Sequence, residues 1–407
     1  MILIFIAQTI FWASAAALFY AYAGYPLLVF AVSRLRPKQI KRREYSPTVT
    51  VLITAYNEER DIRAKLENTL EIDYDSNKLE ILVASDCSND KTDEIVKEFA
   101  ARGVKLHRQT ERLGKTMAQN AGVEIAAGEI ILFSDATTMY QPDVLRKMLP
   151  NFADETVGCV AGKLVYVDDF DSGVGKGAKS YWNYETFLKR AESRACSLIG
   201  ASGCLYAVRK SAYKPMYPEA CSDFLIATVL YEQGLRTVYE SAAVCTEETN
   251  RQTSKEMRMR VRVIAQTFTD LWRNREMLNP FKSGFYAVEL ISHKLFRYGV
   301  PLFLAALFVS TATLFFQSDF FGVFLTLQAA FYLLALIGWI LEKTGRPTGI
   351  LAMPLYFMLA NLASLVGFYK FLRGERFASW EPIRDSGEWK MENGKLKTKQ
   401  GGGAKAT

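Results

Sequence analysis

A long apolar stretch at the N-terminus places the strongest constraint on what this 407-residue chain can fold into. Residues 2–32 contain no charged side chain, which makes the stretch longer than a signal-peptide core and long enough to span a bilayer. Basic residues follow at Arg34, Arg36, Lys38, Lys41, Arg42 and Arg43. Because basic residues stay on the cytoplasmic side, we expect an uncleaved anchor at residues 1–33 with its N-terminus outside, and a cytoplasmic basic linker at 34–47.

Further apolar stretches lie near the C-terminus, within residues 300–372. Residues 300–316 and 320–341 are predicted to cross the membrane. Residues 350–368 contain Pro354 and Asn361, and they either cross, leaving the polar tail at 373–407 outside, or lie in the interface, leaving it inside. We expect the second arrangement. Residues 276–299, with His293 among basic and aromatic residues, are predicted to form an amphipathic interface helix, so the protein is expected to be a multi-pass protein of the cell's inner membrane.

Charge and cysteine usage exclude several classes of function. The net charge of +7 is explained by basic residues that flank the membrane segments and meet anionic lipids, so membrane lipids are expected partners. The sequence shows no basic face interleaved with aromatic residues and no known nucleic-acid module, which argues against a nucleic-acid partner. The six cysteines show no CxxC spacing and indicate reduced core residues rather than a zinc site or disulfides.

The middle of the chain alternates strand and helix patterns. Strands are predicted at 49–54, 80–84 and 104–107 and from Ile130, with helices at 59–69, 91–101 and 114–126. This alternation predicts an α/β fold with a mostly parallel, Rossmann-like sheet. The dinucleotide fingerprint GxGxxG and the P-loop GxxxxGKS are both missing from the sequence, which argues against both chemistries.

Polar residues follow three of these strands, at 54–59, 85–90 and 135–138. Ligands of open α/β sheets bind beyond the carboxyl ends of the strands. The apolar run 130–133 leads directly into Asp135, and a carboxylate at that place is suited to hold a divalent cation against a phosphate. An Asp after a strand is also a common helix cap or turn residue, so the interpretation depends on its neighbours.

In their order along the chain, these segments resemble the family 2 glycosyltransferases with the GT-A fold, particularly the membrane-anchored members related to cellulose, hyaluronan and poly-N-acetylglucosamine synthases. The resemblance covers residues 48–275 and the membrane layout. It implies a nucleotide-sugar donor, expected to carry UDP. It also implies that Ala55, Tyr56 and Glu58 frame the nucleotide, that Asp86 contacts the base or ribose, and that Lys115 lies near the diphosphate.

The same resemblance places a metal site at Asp135, the first aspartate of the family's DxD motif. Thr137 occupies the position of the second aspartate, so the donor site would hold Mg²⁺ or Mn²⁺ through one carboxylate. Ser202, Gly203 and Ser222 match segments that line the family's acceptor site. Asp223 matches the general base that takes the acceptor hydroxyl proton, although an Asp before residues 224–233 is also a plausible helix cap.

Arg260 and Arg262 lie where the synthases carry QxxRW. With Arg262 aligned to the motif arginine, Met259 replaces the Gln and Val263 replaces the Trp. These arginines either pair with the diphosphate or face lipid headgroups, and the sequence favours neither. The missing Trp weakens the prediction of a long-polymer synthase.

The expected function is a membrane-bound inverting glycosyltransferase that transfers a sugar from a nucleotide sugar to a lipid-linked or growing glycan in exopolysaccharide or cell-envelope synthesis. One alternative is a processive synthase that also secretes its polysaccharide. Another, from a different class, is a non-catalytic membrane scaffold that senses nucleotide sugars.

Overall fold

The computed structural model describes residues 1–166, 173–247 and 253–378, together with residues 388–392 and 395–399. The rest of the predicted polar tail lies outside the described residues. The chain divides into two compact units. We call them the sheet unit, which comprises Ile40–Val167, Gly200–Glu256 and Arg376–Thr407, and the helical unit, which comprises Met1–Gln39, Asp168–Ile199 and Met257–Glu375.

The sheet unit is built on a mixed eight-stranded sheet. Its strands are β1 (Val49–Ala55), β2 (Leu79–Ser85), β3 (Val104–Arg108), β4 (Ile130–Asp135), β5 (Met139–Tyr140), β6 (Val157–Tyr166), β7 (Tyr206–Arg209) and β8 (Arg236–Glu247), in the order β3-β2-β1-β4-β7-β6-β8-β5. β3, β2, β1 and β4 are mutually parallel neighbours, β6 is parallel to β8, and β7 runs antiparallel to β4 and β6. Two further strands, β9 (Glu388–Glu392) and β10 (Lys395–Lys399), form an antiparallel pair. The predicted Rossmann-like, mostly parallel sheet is confirmed.

Helices lie between successive strands, and those between parallel strands provide the crossover that parallel pairing needs. They are α3 (Ile62–Leu70), α4 (Thr92–Glu98), α5 (Lys115–Ile125), α6 (Val144–Met148) and α8 (Ser222–Glu232). β1 is buried along its whole length, which explains its continuous apolar run. The predicted helix at 91–101 ends earlier, at Glu98, and a 3₁₀ turn at Ala100–Arg102 then leads into Gly103, whose φ of 87° only glycine adopts readily.

The helical unit contains the apolar segments. Its helices are α1 (Ile2–Phe19), α2 (Tyr25–Leu35), α7 (Gly173–Ala195), α9 (Thr253–Arg273), α10 (Pro280–Ser283), α11 (Phe285–Leu290), α12 (Arg297–Thr313), α13 (Asp319–Lys343) and α14 (Ala352–Leu372). π-helical segments at Tyr20–Gly24 and Ile291–Phe296 join α1 to α2 and α11 to α12. Among the described residues, four helical runs are long and apolar enough to cross a membrane: Ile2–Leu35, Phe285–Thr313, Asp319–Lys343 and Gly349–Leu372.

The C-terminal segments differ from the sequence prediction in two respects. The predicted interface helix at 276–299 and the span beginning at 300 join into one helical run, Phe285–Thr313, because Glu289 and His293 are buried inside the protein. The stretch at 350–368 is also continuous helix. Pro354 lies in the first turn of α14, where a missing N–H costs no helical hydrogen bond, and the side chain of Asn361 donates to the carbonyl of Phe357. The helix is long and apolar enough to cross a membrane, and its interfacial placement with the tail inside stays a prediction.

Candidate active site

The carboxyl ends of β1, β2 and β4 lie side by side in the sheet unit. The strand register pairs Thr54 with Asp135 and Ala55 with Ser85, so the polar segments after these strands meet at one edge. Asn57 and Cys87, which follow β1 and β2, have φ values of 54° and 59°, a left-handed conformation that costs energy for residues other than glycine. Such backbone persists only where its surroundings hold it, and the edge of the sheet provides that support.

Hydrogen bonds tie these two turns together. The Asn57 N–H donates to Ser88 Oγ at 3.1 Å, and Asn57 Oδ1 accepts from the Asn89 N–H at 2.9 Å. The guanidinium of Arg112 lies over the ring of Tyr56, 3.9 Å from its centroid. Stacked aromatic and guanidinium planes of this kind suit a nucleobase.

The other predicted nucleotide residues contribute backbone and buried side chains to the same edge. Glu58 is buried, and its N–H donates to Thr92 Oγ1 at 2.7 Å. The carbonyl of Ala55 accepts from the Asp86 N–H at 2.9 Å. The structure therefore brings Ala55, Tyr56, Glu58 and Asp86 together, as the sequence predicted.

Asp86 positions the helix that carries Lys115. Its carboxylate is fully buried and accepts from the N–H of Leu113 at 2.8 Å and from the N–H of Gly114 at 3.0 and 3.1 Å. Burial raises the pKa of Asp86, and these amide donors oppose the shift. Gly114 has a φ of 97°, and α5 begins directly after it. The contact of Asp86 with base or ribose stays a prediction.

Lys115 connects the predicted metal ligand to the predicted base. Its ammonium donates a hydrogen bond to Oδ1 of Asp135. Burial lowers the pKa of Lys115, but the carboxylates of Asp135 and Asp223 outweigh this effect and raise it above its ordinary value. The pKa of this one cation therefore responds to both carboxylates, the predicted metal ligand Asp135 and the predicted base Asp223.

A second carboxylate reaches the Asp135 segment from β8. The hydroxyl of Thr137 donates to Oε1 of Glu247 at 3.1 Å, across a sequence separation of 110 residues. The pairing of β5 with β8 sets Met139 opposite Thr246 and so brings Glu247 into place. Burial and the nearby charge of Asp135 raise the pKa of Glu247 to about 7. Glu247 was not predicted from the sequence as a site residue. Its position at the end of a β-branched, apolar segment, like that of Asp135, was the available signal.

These groups fit a divalent cation that is bound together with substrate. Among the described residues, no group of three or more His, Cys, Asp or Glu side chains lies close enough together to hold a metal ion. Mg²⁺ is commonly held by one or two carboxylates plus substrate phosphates and water. Asp135 and Glu247, which accepts a hydrogen bond from the Thr137 hydroxyl, match that donor set.

Asp223 lies in the first turn of α8, which begins after Cys221. Its Oδ1 accepts from the N–H of Phe224 at 3.0 Å and from Cys221 Sγ at 3.1 Å. Gly203 packs against the other oxygen, because a Cβ added at Gly203 would lie 3.0 Å from Oδ2. The predicted acceptor residues Ser202 and Ser222 are also buried, and Ser222 is the chain neighbour of Asp223. The structure therefore places Ser202, Gly203 and Ser222, which were predicted to line the acceptor site, next to the predicted base.

Side chains of α3 contact and hold the segment that follows Asp135. Lys65 is fully buried, donates to the carbonyl of Thr138 at 2.6 Å, and places Nζ 3.6 Å from the ring centroid of Tyr140. Asn68 accepts from the Tyr140 N–H at 2.7 Å and donates to its carbonyl at 2.9 Å. Burial lowers the pKa of Lys65 to about 7. The sequence analysis missed both residues, although the spacing of Lys65 from Ile62 puts it on the apolar face of its helix.

Arg260 and Arg262 belong to the helical unit, on α9. Arg260 donates to the hydroxyl of Tyr356 on α14, and its guanidinium lies 4.9 Å from the ring centroid of that tyrosine. The predicted pairing of these arginines with a diphosphate stays a prediction.

The order of the strands, with acidic groups at the strand ends, is that of a GT-A type of fold. A mannosyltransferase from Pyrobaculum calidifontis, solved with GDP-Man and Mn²⁺, has the same fold, with a TM-score of 0.68 at 23% identity over 89% of this chain and 99% of that one. Residues 50–216 match the family described as Glycosyl transferase family 2. The chain carries a family 2 glycosyltransferase domain, and the family resemblance is confirmed.

Curated relatives share this domain over part of their length. A β-monoglucosyldiacylglycerol synthase of Nostoc sp. (strain PCC 7120) is 34% identical over 137 residues, which cover 33% of this chain and 29% of the relative. A poly-β-1,6-N-acetyl-D-glucosamine synthase of Staphylococcus epidermidis is 27% identical over 204 residues, 48% of this chain and 49% of the relative. The chain thus spans between about a third and a half of these relatives.

Proposed function

We propose that this protein is a membrane-bound inverting glycosyltransferase that moves a sugar from a nucleotide sugar to a lipid-linked or growing glycan acceptor in cell-envelope or exopolysaccharide synthesis. The observation that carries the proposal is the ammonium of Lys115, which bonds to Asp135 and interacts with Asp223 at the carboxyl edge of the sheet. A leaving-group site and a base would thereby face one sugar.

The donor would be held by the turns after β1 and β2. Tyr56 and Arg112 offer stacking planes for the base, expected to be uracil, and Glu58 lies beside them for the ribose. Lys115 would offset the diphosphate charge. Asp135, with Glu247, would hold Mg²⁺ or Mn²⁺, which when bound stabilises negative charge on the departing diphosphate.

Asp223 would take the proton from the acceptor hydroxyl as that oxygen bonds to the anomeric carbon and the bond from carbon to diphosphate oxygen breaks. Attack on the face opposite the leaving group inverts the anomeric configuration. The hydrogen bonds from Phe224 and Cys221 fix Oδ1, so Oδ2, on the Gly203 side, is the oxygen we assign to the acceptor proton.

Two considerations support a lipid-linked acceptor and limited transfer. The part of the chain that the structure describes has four helical runs that are apolar and long enough to cross a membrane, so we place the protein in the inner membrane with the sheet unit in the cytoplasm. One relative is named for a glucosylated diacylglycerol, and Val263 replaces the Trp expected of a strongly processive synthase. The Staphylococcus relative, named for a polysaccharide, is what favours the processive alternative.

The proposal is tested with the full-length protein in detergent, a panel of UDP- and GDP-sugars, and a membrane lipid extract. We expect released nucleoside diphosphate and a single labelled lipid product that depends on Mn²⁺ or Mg²⁺ and is lost in Asp223→Asn. A ladder of long products would establish the processive alternative. If donors bind but no transfer occurs with any metal, the non-catalytic scaffold is the correct assignment.

A further inference from the structure

The helical unit contains a cavity of about 360 Å³ that plays no part in the chemistry described above. Its walls come from three of the four candidate membrane spans, through Tyr22, Arg297 and residues of α14, and from the helices α7 and α9. Both π-helical segments border it, since Tyr22 lies in the first and Arg297 follows the second. Local π-helix of this kind is frequent at functional sites.

Two guanidinium groups line the cavity, and one of them is paired with Glu185. These groups belong to Arg260 and Arg297, and no carboxylate is present among the described lining residues. Arg297 is held in place by an ion pair to Glu185 and by His293, whose ring nitrogen lies 3.1 Å away. Charged residues inside membrane spans are rare and face a protein interior or a polar cavity. The two guanidinium groups therefore suit a phosphate or another anion.

A buried network keeps Arg297 in this position. His293 Nδ1 lies 2.6 Å from Oε1 of Glu192, and that oxygen also accepts from the hydroxyl of Tyr25 at 2.5 Å. A fully connected buried network of this kind rigidifies its members. The cation is thus oriented before any ligand arrives, which lowers the entropic cost of binding.

The remaining walls indicate a ligand with an apolar part. Tyr22 and Tyr356 contribute aromatic rings with hydroxyl groups, as tyrosines do at the headgroup level of a bilayer. Phe357 and Ala360 of α14 continue the wall with apolar surface. A soluble anion would make no favourable contact with that apolar surface. An amphiphile would place its anionic head at the arginines and its apolar tail along α14.

We propose that this cavity binds the phosphate-bearing head of a membrane lipid, with the first carbons of its tail along α14. The source is either a membrane phospholipid or a lipid phosphate that serves as acceptor, and both share this chemistry. The proposal goes beyond the transfer reaction, because binding needs neither a donor sugar nor a metal.

The experiment measures the unfolding temperature of the full-length protein in detergent as lipid is added. We expect phosphatidic acid to raise it by several degrees at saturation. Diacylglycerol with the same tails and glycerol 3-phosphate without tails are expected to have much smaller effects. A polyprenyl phosphate in a parallel titration distinguishes the two sources: the lipid with the lower Kd identifies which one the cavity prefers, and saturable binding of either supports the proposal.

Two variants of different kinds test the location. Arg260→Gln removes one cation and Ala360→Phe fills the cavity without changing charge, and each is expected to raise the Kd for phosphatidic acid roughly tenfold or more. Arg258→Gln is the matched control, since Arg258 is exposed on the same helix. Unchanged Kd values in both cavity variants, or an equal loss in Arg258→Gln, would overturn the proposal. An equal response to diacylglycerol would refute the phosphate contact, and an equal response to glycerol 3-phosphate would refute the lipid.

Discussion

Gly203 offers a direct test of the role assigned to Asp223. A methyl group added at Gly203 would meet Oδ2 of Asp223 at 3.0 Å and its Cγ at 3.4 Å. The first distance is tighter than nearly all real contacts of a Cβ, so the carboxylate must retreat by a few tenths of an ångström. Its retreat is restrained, because Oδ1 is held by the N–H of Phe224 and by Cys221. Gly203→Ala should therefore misplace the base.

The expected loss of kcat depends on how far the carboxylate of Asp223 is displaced. A misplacement of about 1 Å in a catalytic group can cost roughly 10²-fold in rate, so a shift of a few tenths should lower kcat roughly fivefold to tenfold. Asp223→Asn removes the base itself and should lower kcat by roughly 10²- to 10⁴-fold. The backbone of Gly203 is not in the left-handed region, so alanine adds no strain there and the protein should remain folded.

The assay is the rate of nucleoside diphosphate release at saturating donor, with the unfolding temperature as a check on folding. Gly322→Ala is a suitable control, because its added Cβ meets only an ordinary contact at 3.8 Å. The decisive measurement is the double variant. If Gly203→Ala acts through the carboxylate, it should have no further effect in the Asp223→Asn background. The same fold-loss in both backgrounds would refute the reasoning.

Three further predictions concern the other side of the site. Lys115→Met should raise the Kd for nucleoside diphosphate roughly tenfold or more by calorimetry, since a charge-assisted contact is lost, and it should remove the mutual tightening of nucleotide and Mn²⁺; an unchanged Kd contradicts the role of Lys115. Glu247→Gln should weaken Mn²⁺ binding roughly tenfold when nucleotide is present, measured from free Mn²⁺ by electron paramagnetic resonance, with exposed Glu155→Gln as the silent control. Lys65, whose pKa is lowered to about 7, is deprotonated in the folded protein while the unfolded chain still binds a proton, so stability should rise with pH between about 7 and 10. Between pH 7 and 9, the free energy of unfolding of the wild type should rise by roughly 2 kcal/mol more than that of Lys65→Met. The same dependence on pH in both proteins would exclude this effect of Lys65.

The sequence predicted the elements whose signals are local. β1 is buried on both faces, so its apolar run identified it directly, and the parallel sheet followed from the alternation of strands and helices. The turns after β1 and β2 were recognised because polar residues replace apolar ones abruptly there. Asp135 and Asp223 were found by the same kind of local contrast combined with the family resemblance.

Contacts between distant parts of the chain could not be read in this way. Glu247 reaches Thr137 across 110 residues through the pairing of β5 with β8, and β5 is only two residues long. His293 was predicted to lie at the membrane interface because basic and aromatic residues surround it in the sequence. It is instead buried against Glu192, 101 residues earlier in the chain. The hydrogen bond to Glu192 satisfies the imidazole, so this side chain does not need water as a partner.

The pairing of Lys115 with Asp135 also suggests how a site with few carboxylates could bind a divalent cation when the donor is present. Without donor, the ammonium neutralises Asp135 and so competes with any cation for that carboxylate. A bound diphosphate would give Lys115 a second anionic partner, free Asp135, and add phosphate oxygens to the donor set that we propose for Asp135 and Glu247. Nucleotide and metal should therefore strengthen each other's binding by the same factor, as linkage requires. A cluster of three permanent carboxylates would hold the metal without the donor, whereas the proposed arrangement would make metal binding depend on the substrate.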